Sequence, residues 1–401
     1  MACGVRQVGW CAGLLALALS ACVGGPDAPD ARRQAALPAP EAVPLVPAAG
    51  RAGTIGAGSV RVALVVPLTG QGAAVGAALR NAAELAYEDF QKPDLRILVR
   101  DDRGSPDGAG EAAQDALSEG AEIVLGPLFA ASVQAAASPV RAAGKPLVAF
   151  STDASVAARG VYLISFLPQA EVDRIVDETV AGGRRSFAAL IPETAYGNAV
   201  EAQFREAVAR RGARLVAVER YPSGAPGPAV ERLRGLVTGS GAQADALFLP
   251  DAPDGLVTVG AALAKAGFQS ARVRPVGTAL WNDPRVLALP SLQGGWFAAP
   301  DGTGFSGFSQ RYQARFGTLP PRVASLGYDA VSLTAALVRQ YGSQRFADTT
   351  LTLPAGFTGL DGTFRFRPEG TSERALAVYE VRGTTAAVVS PAPRALGPSG
   401  I

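Results

Sequence analysis

From Val60 onward, short apolar runs of strand length alternate with stretches of helical period, and this alternation leaves few architectures open. Residues 61–66 (RVALVV) form a nearly uninterrupted apolar run that Pro67 ends, as expected of a strand covered on both faces. Val75, Leu79, Ala82, Ala83, Ala86 and Phe90 then recur on one face of a helix. Strands are predicted over 95–99, 123–125 and 147–150, with a helix over 106–118 and a small-residue helix ahead of the last of these strands. After Leu167 the pattern restarts, with strands over 187–191, 215–218, 246–249 and 273–277 and helices over 200–210, 229–236 and 255–266. Strands separated by helices of this length form parallel sheets wrapped by helices. So long an alternation divides into two lobes rather than one. The tail differs: 362–366 and 375–381 alternate with period two, which predicts antiparallel strands added at a sheet edge.

Composition then removes most chemistries. The 401 residues include 37 Lys and Arg against 35 Asp and Glu, a formal charge of +2, which lacks the basic excess of a nucleic-acid binder. Apolar residues make up 48% and charged residues 18%, enough to build a sizeable core. There is no histidine, so Ser-His-Asp and Cys-His pairs, histidine-ligated metals and a histidine pH switch are all excluded. Cys3, Cys11 and Cys22 are the only cysteines, and the body of the chain has neither disulfide nor thiol chemistry. The loop Gly70-Gln71-Gly72-Ala73-Ala74-Val75-Gly76 is one residue too long for a dinucleotide fingerprint, and no phosphate-binding loop of the G-x-x-x-x-G-K-[ST] kind occurs. Acidic residues are plentiful, yet nothing singles out a glycosidase pair. The sequence implies no enzyme, no cofactor and no metal site.

The first residues read as an address. Arg6 precedes a ten-residue apolar run, 10–19, too short to span a hydrocarbon layer of about 30 Å and suited to a signal peptide. The run ends in Leu19-Ser20-Ala21-Cys22, which resembles a bacterial lipobox and predicts a signal peptide over 1–21 and lipidation at Cys22. An ordinary secretory cleavage after Ala21 is the plainer alternative. Val23 is not the aspartate that retains enteric lipoproteins at the inner membrane, which favours the outer membrane facing the periplasm. Residues 22–59 are rich in proline, glycine and alanine, contain no aromatic residue, and are expected to form a flexible tether of about 35 Å end to end. The uncharged stretch 123–140 contains Gly126, Pro127, Gln134 and Pro139, and reads as strand, turn and small-residue helix rather than a membrane span.

A series of motifs resembles a known family. Val62-Ala63-Leu64-Val65-Val66-Pro67-Leu68-Thr69-Gly70, with Asn81-Ala82-Ala83-Glu84-Leu85-Ala86 in the helix after it, resembles the opening of the type I periplasmic binding proteins of the branched-chain amino-acid group. Asp101-Asp102, Gly126-Pro127-Leu128, Ala195-Tyr196-Gly197, Gly327-Tyr328-Asp329-Ala330 and the run from Gly356 to Phe366 follow in the family's order. Within that superfamily, Leu125 to Ala130 and Val148 to Asp153 resemble the penicillin-binding-protein activator lipoproteins. In enterobacterial members a helical-repeat domain precedes this module. The tether stands in that place here, and no contact made by that domain carries over. The resemblance implies an α/β fold of two Rossmann-like parallel-sheet lobes with a cleft between them. The expected division is 60–166 plus 298–342 for lobe one and 167–297 plus 343–395 for lobe two.

Ligands of such lobes sit where strand carboxyl ends meet loops and helix N-termini. The expected cleft residues are therefore Thr69, Gly70, Phe129, Ala130, Ser151, Thr152, Asp153, Ser155, Tyr196, Asp251 and Trp281. Several have a plainer reading: Thr69, Ser151 and Asp153 suit helix capping and Tyr196 suits packing, while Asp101-Asp102 reads as a solvated strand end rather than an acid/base pair. Amino-acid binders of the family hold the ligand carboxylate with hydroxyls and helix N-termini. Here Ala130 stands where the hydroxyl after strand three is expected, and Asp153 brings a negative charge to the same region, so the clamp looks incomplete. The resemblance implies a non-catalytic lipoprotein, anchored to the membrane by its lipid, that binds and activates a bifunctional penicillin-binding protein in peptidoglycan synthesis. The first alternative is a lipid-anchored solute receptor of an ABC importer, with an amino acid or amide in the cleft. A cell-wall hydrolase is a third.

Overall fold

Val62, Leu64 and Val66 point to one side of their strand and Ala63 and Val65 to the other, and all five are fully buried. That two-sided burial recurs through the residues described by the computed structural model, 53–396. The expected signal peptide, Cys22 and the tether up to residue 52 lie outside the described residues.

The first lobe is a six-stranded sheet of β1 (Gly53–Ile55), β2 (Val60–Val66), β3 (Leu95–Asp101), β4 (Ile123–Leu125), β5 (Leu147–Ala149) and β6 (Val161–Leu163), in the order β1-β3-β2-β4-β5-β6. Strands β2 to β6 are parallel. Strand β1 falls inside the expected tether and corrects its end: Gly53, Thr54 and Ile55 pair antiparallel with Val99, Leu98 and Ile97, covering the outer edge of β3. Helices α1 (Ala73–Asp89), α2 (Pro106–Ser118) and α3 (Ala130–Ala142) follow the strands as their periodicity predicts. The stretch 123–140 is thus β4, a turn and most of α3, and no helix among the described residues is long and apolar enough to cross a membrane. Alanines of α2 and α3 pack on Ala63 and Val65, while Leu79, Ala83 and Ala86 of α1 pack on the larger face of β2.

The second lobe starts with α4 (Pro168–Ala181) and β7 (Ser186–Pro192). It continues through α5 (Ala195–Arg210), β8 (Arg214–Tyr221), α6 (Gly227–Val237), β9 (Ala246–Phe248), α7 (Pro253–Lys265), β10 (Arg274–Gly277), α8 (Pro284–Leu287) and β11 (Trp296–Ala299). The chain then returns to the first lobe. Helix α9 (Gly302–Phe316) sets Phe308 and Tyr312 against Ala78, Ala82 and Leu85 of α1, and α10 (Ala324–Tyr341) packs along α1 with Leu326, Ala330 and Val331. A short helix, α11 (Asp348–Leu351), precedes a three-stranded antiparallel sheet of β12 (Phe357–Gly359), β13 (Gly362–Phe366) and β14 (Ser372–Arg374). Finally β15 (Ala377–Arg382) adds antiparallel to β11 and β16 (Thr385–Ser390) antiparallel to β15, completing the order β16-β15-β11-β10-β9-β7-β8.

The expectation that 343–395 belongs to lobe two is therefore corrected in its first part. Phe346, Leu351, Phe364 and Phe366 are buried in the same cluster as β2, β3 and α10, and Tyr162 of β6 meets Phe366 at 5.3 Å between ring centroids. Period two along β13 puts Phe364 and Phe366 on one face, and that face is laid on the first lobe instead of extending the edge of either large sheet. Only from β15 does the tail join the second lobe. Likewise Ala298 and Ala299, expected in lobe one, end strand β11 of the second sheet.

Three crossovers join the lobes, at 164–167, 300–301 and 375–376. Phe166 of the first lies near two guanidinium groups, Arg374 at 5.1 Å and Arg322 at 5.7 Å from its ring centroid. Arg374 is buried and 3.8 Å from the Asp329 carboxylate, whose pKa burial pushes up to about 7 against the pull of Arg374. Arg322 pairs with the fully buried Asp361, which also accepts the Ser325 hydroxyl at 2.6 Å. Asp361→Ala strands both donors and is expected to lower stability by about 2 kcal/mol, read as a drop in Tm by calorimetry. An unchanged Tm would show that the pair does not hold this junction.

Candidate functional site

The chain leaves each large sheet for the other lobe at the carboxyl ends of its parallel strands, after β6 and after β11, and β15 returns at that same end of the second sheet. Loops at these ends therefore line the space between the lobes, where open α/β sheets take their ligands.

On the first-lobe side, Thr69 and Gly70 follow β2 as expected, but the threonine is already engaged. Its hydroxyl donates to Asp101 Oδ2 at 2.6 Å and its backbone N–H to Oδ1 at 3.2 Å, while Leu68 and Arg103 N–H groups also donate to Oδ1. Burial works against the Asp101 carboxylate, yet the Thr69 hydroxyl and these N–H groups outweigh it and hold its pKa below the usual value. Gly70 has φ +69°, and a Cβ there would lie 2.3 Å from the Arg103 carbonyl oxygen, so the turn demands glycine. The neighbouring Asp102 is fully buried; Gly104 N–H donates to Oδ1 at 2.8 Å, and Oδ2 has no partner. Burial pushes this carboxyl up to about 6. The solvated strand end expected at Asp101-Asp102 is thus replaced by one saturated and one buried carboxylate.

Phe129 is half-buried at the N-cap of α3, with its ring against Gly72, and Ala130 begins the helix without a hydroxyl. Ser151 is buried and accepts the Asp153 N–H at 3.1 Å. Asp153 in turn accepts the Ser155 N–H at 2.9 Å and caps a single 3₁₀ turn, as its plainer reading had it. Thr152, Asp153 and Ser155 are exposed.

On the second-lobe side, Tyr196 lies in the first turn of α5, with its hydroxyl 2.8 Å from Thr278 Oγ1 beyond β10. Asp251, beyond β9, is buried and accepts the Tyr221 hydroxyl at 2.5 Å and the Ala252 N–H at 2.7 Å. Trp281 is a correction. It is fully buried, donates its indole N–H to the Leu249 carbonyl at 3.0 Å and packs near Phe297, so it belongs to the second-lobe core and cannot cover a ligand.

One residue escaped the sequence reading. Glu171, in the first turn of α4, is 7% exposed, and its one hydrogen bond among the described residues comes from the Ala279 N–H at 2.9 Å. Burial pushes its carboxyl up to about 8, only partly offset by that bond. Burial, then Glu171 and further Asp251, push the Tyr196 hydroxyl up as well, which groups these three side chains at the second-lobe wall. A signal existed: Glu171 shares the face of Val172, Ile175, Val176 and Thr179, the buried face of α4.

A family model described as periplasmic binding protein matches residues 59–386. The chain belongs to the periplasmic binding protein family. Its fold is the α/β two-lobed arrangement of that family. A protein from Rhodospirillum rubrum described as a branched-chain amino acid ABC transporter superimposes with a TM-score of 0.72 at 22% identity, over 82% of this chain and 99% of the other. An ABC transporter solute-binding protein from Rhodopseudomonas palustris, solved with 3,4-dihydroxybenzoic acid, gives 0.59 at 20% identity, over 85% and 98%. A substrate-binding protein from Desulfitobacterium hafniense, in complex with Leu, gives 0.61 at 18% identity, over 82% and 99%. These likenesses show the fold. No curated protein matches the sequence significantly.

Two outcomes follow for this binding protein. Trp281→Ala is expected to cost about 3–5 kcal/mol by denaturant unfolding; a cost below about 1 kcal/mol would return the ring to the surface. Because Glu171 titrates above the unfolded carboxylate value of about 4.3, it lowers stability progressively as pH rises from there to about 8. Glu171→Gln should therefore melt higher than the parent at pH 9 and close to it at pH 5. Equal melting at both would refute the burial cost.

Proposed function

We propose that this chain is a periplasm-facing solute-binding protein of an importer, non-catalytic and lipid-anchored through Cys22, that closes its lobes on a small organic solute. The observation that carries the reading is the pair of largely parallel sheets between which the chain crosses three times, leaving each at its strand carboxyl ends. A family made of such lobes, with solved relatives of the same fold described as ABC transporter binding proteins, supports it. Closure would bring Thr152 and Ser155 of the first lobe toward Tyr196 of the second, so that the solute is held by groups from both and stabilises the closed state.

The activator reading, docking on a bifunctional penicillin-binding protein and shifting it to an active state, stands second. It is favoured by one observation: the clamp for an amino-acid carboxylate is depleted, because the Thr69 hydroxyl is spent on Asp101 and Ala130 has none. A thermal-shift panel of amino acids, amides, amines and aromatic carboxylates separates the two. A solute at 100 times its Kd adds about 2.7 kcal/mol of stability, a rise of a few degrees in Tm. If no solute moves the melting curve and the immobilised protein retains a penicillin-labelled synthase from an envelope extract, the solute reading falls and the activator reading replaces it.

A further inference from the structure

Acids gather at the carboxyl ends of the strands. At or just beyond the strand carboxyl ends lie Asp101, Asp153, Glu193, Asp251 and Asp301, with Glu171 at the start of α4. Of the basic residues on those loops among the described residues, Arg103 is tied to Glu111 at 2.6 Å and Arg159 to Asp348 at 3.0 Å. Arg322, beside the crossovers, is tied to Asp361. Clustered acids alone mean little, since several of these are spent on their own backbone: Asp101 on the turn after β2, Asp153 on its 3₁₀ turn, Asp301 on the Thr303 N–H and hydroxyl.

Glu171 is different. It is more than nine-tenths buried, its single hydrogen bond comes from a backbone N–H at the carboxyl end of β10, and no cation among the described residues interacts with it. A carboxylate accepts up to about four hydrogen bonds, so most of its capacity is unused. A buried acid without a counter-ion costs stability unless something else supplies the charge. On the first-lobe loops Arg103 and Arg159 are each already paired with an acid, and Asp102 holds an unpartnered carboxylate oxygen at the end of β3.

We infer that the cleft is built for an organic cation, a protonated amine without need of a carboxylate, whose ammonium group is received by Glu171 beside Tyr196 and Asp251. This rests on the solute-binding reading and names its ligand class. A cation supplies the donors Glu171 lacks, and the aromatic ring of Tyr196 adds a surface for its charge. Of the titratable groups on the elements packed around Glu171, Tyr196 of α5 faces it; none on β10, β11 or β15 interacts with it among the described residues. Because the unliganded carboxyl titrates near pH 8, binding an amine at pH 7 must expel its proton.

The test is calorimetry on the purified protein with putrescine, agmatine and spermidine, alongside leucine, glutamine and benzoate, at pH 6, 7 and 8.5. The inference expects an amine to bind, its affinity to rise at least tenfold from pH 6 to 8.5, and protons to be released at pH 7, seen as a dependence of the heat on buffer ionisation enthalpy. Glu171→Gln, checked for an intact melting transition, should lose at least tenfold in amine affinity and lose the pH dependence. Binding of leucine, glutamine or benzoate with no amine bound would overturn the inference and leave the solute-binding reading standing. Binding of nothing would overturn both. Amine affinity unchanged in Glu171→Gln would overturn the assigned residue.

Discussion

Each large sheet is covered on both faces, and most of the architecture follows from that constraint. Val62, Leu64 and Val66 face one buried layer while Ala63 and Val65 face another, and in the second lobe Ala188 and Leu190 oppose Phe187, Ala189 and Ile191 in the same way. With both faces closed, polar groups have room only at strand ends and edges. The carboxyl ends, where helices begin and crossovers leave, become the natural site for polar function. The edges are handled separately: β1 covers β3, and β15 and β16 extend the second sheet beyond β11.

The junction between the lobes is built from a different material. Phe166, Arg322, Arg374, Asp329 and Asp361 bring aromatic faces and buried charges together where the chain crosses from one lobe to the other. Such a network is sensitive to geometry in a way an apolar core is not. Arg374 reaches Asp329 only at 3.8 Å, with two of its nitrogens and one Asp329 oxygen lacking hydrogen-bond partners.

At the cleft, polar groups divide into those spent on local structure and those left over. Thr69 bonds across to Asp101, tying the loop after β2 to the end of β3, while Ser151 and Asp153 bond within their own loop, and together they hold the shape of the first-lobe wall. On the second-lobe wall Tyr196 and Thr278 bond to each other, while Glu171 of α4 keeps most of its hydrogen-bonding capacity unused. The inventory of a binding site cannot be taken from residue types alone, because a hydroxyl already donating to a carboxylate is not available to a ligand.

The alternation of strand and helix, the two lobes and the placement of loop residues at strand ends were determined by the sequence, since continuous apolar runs and helical periods depend on local pattern and two-sided burial. The short strands β1 and β6 were not legible, because each is an edge strand whose pairing is set by its one neighbour, β3 or β5, rather than by its own pattern. Nor was the docking of Phe364 and Phe366 on the first lobe: period two announces a strand with one apolar face, not which surface that face will meet. Trp281 and Glu171 show the same limit from opposite directions. An indole beyond a strand end reads as a lid and a glutamate in a first helical turn as solvated, yet the indole N–H found the Leu249 carbonyl inside the core, and the glutamate was carried inward on the apolar face of α4. Which side chains are buried at the cleft, and which remain free to bind, was decided only when elements distant in sequence packed together, because burial and hydrogen-bond satisfaction are properties of the assembled neighbours.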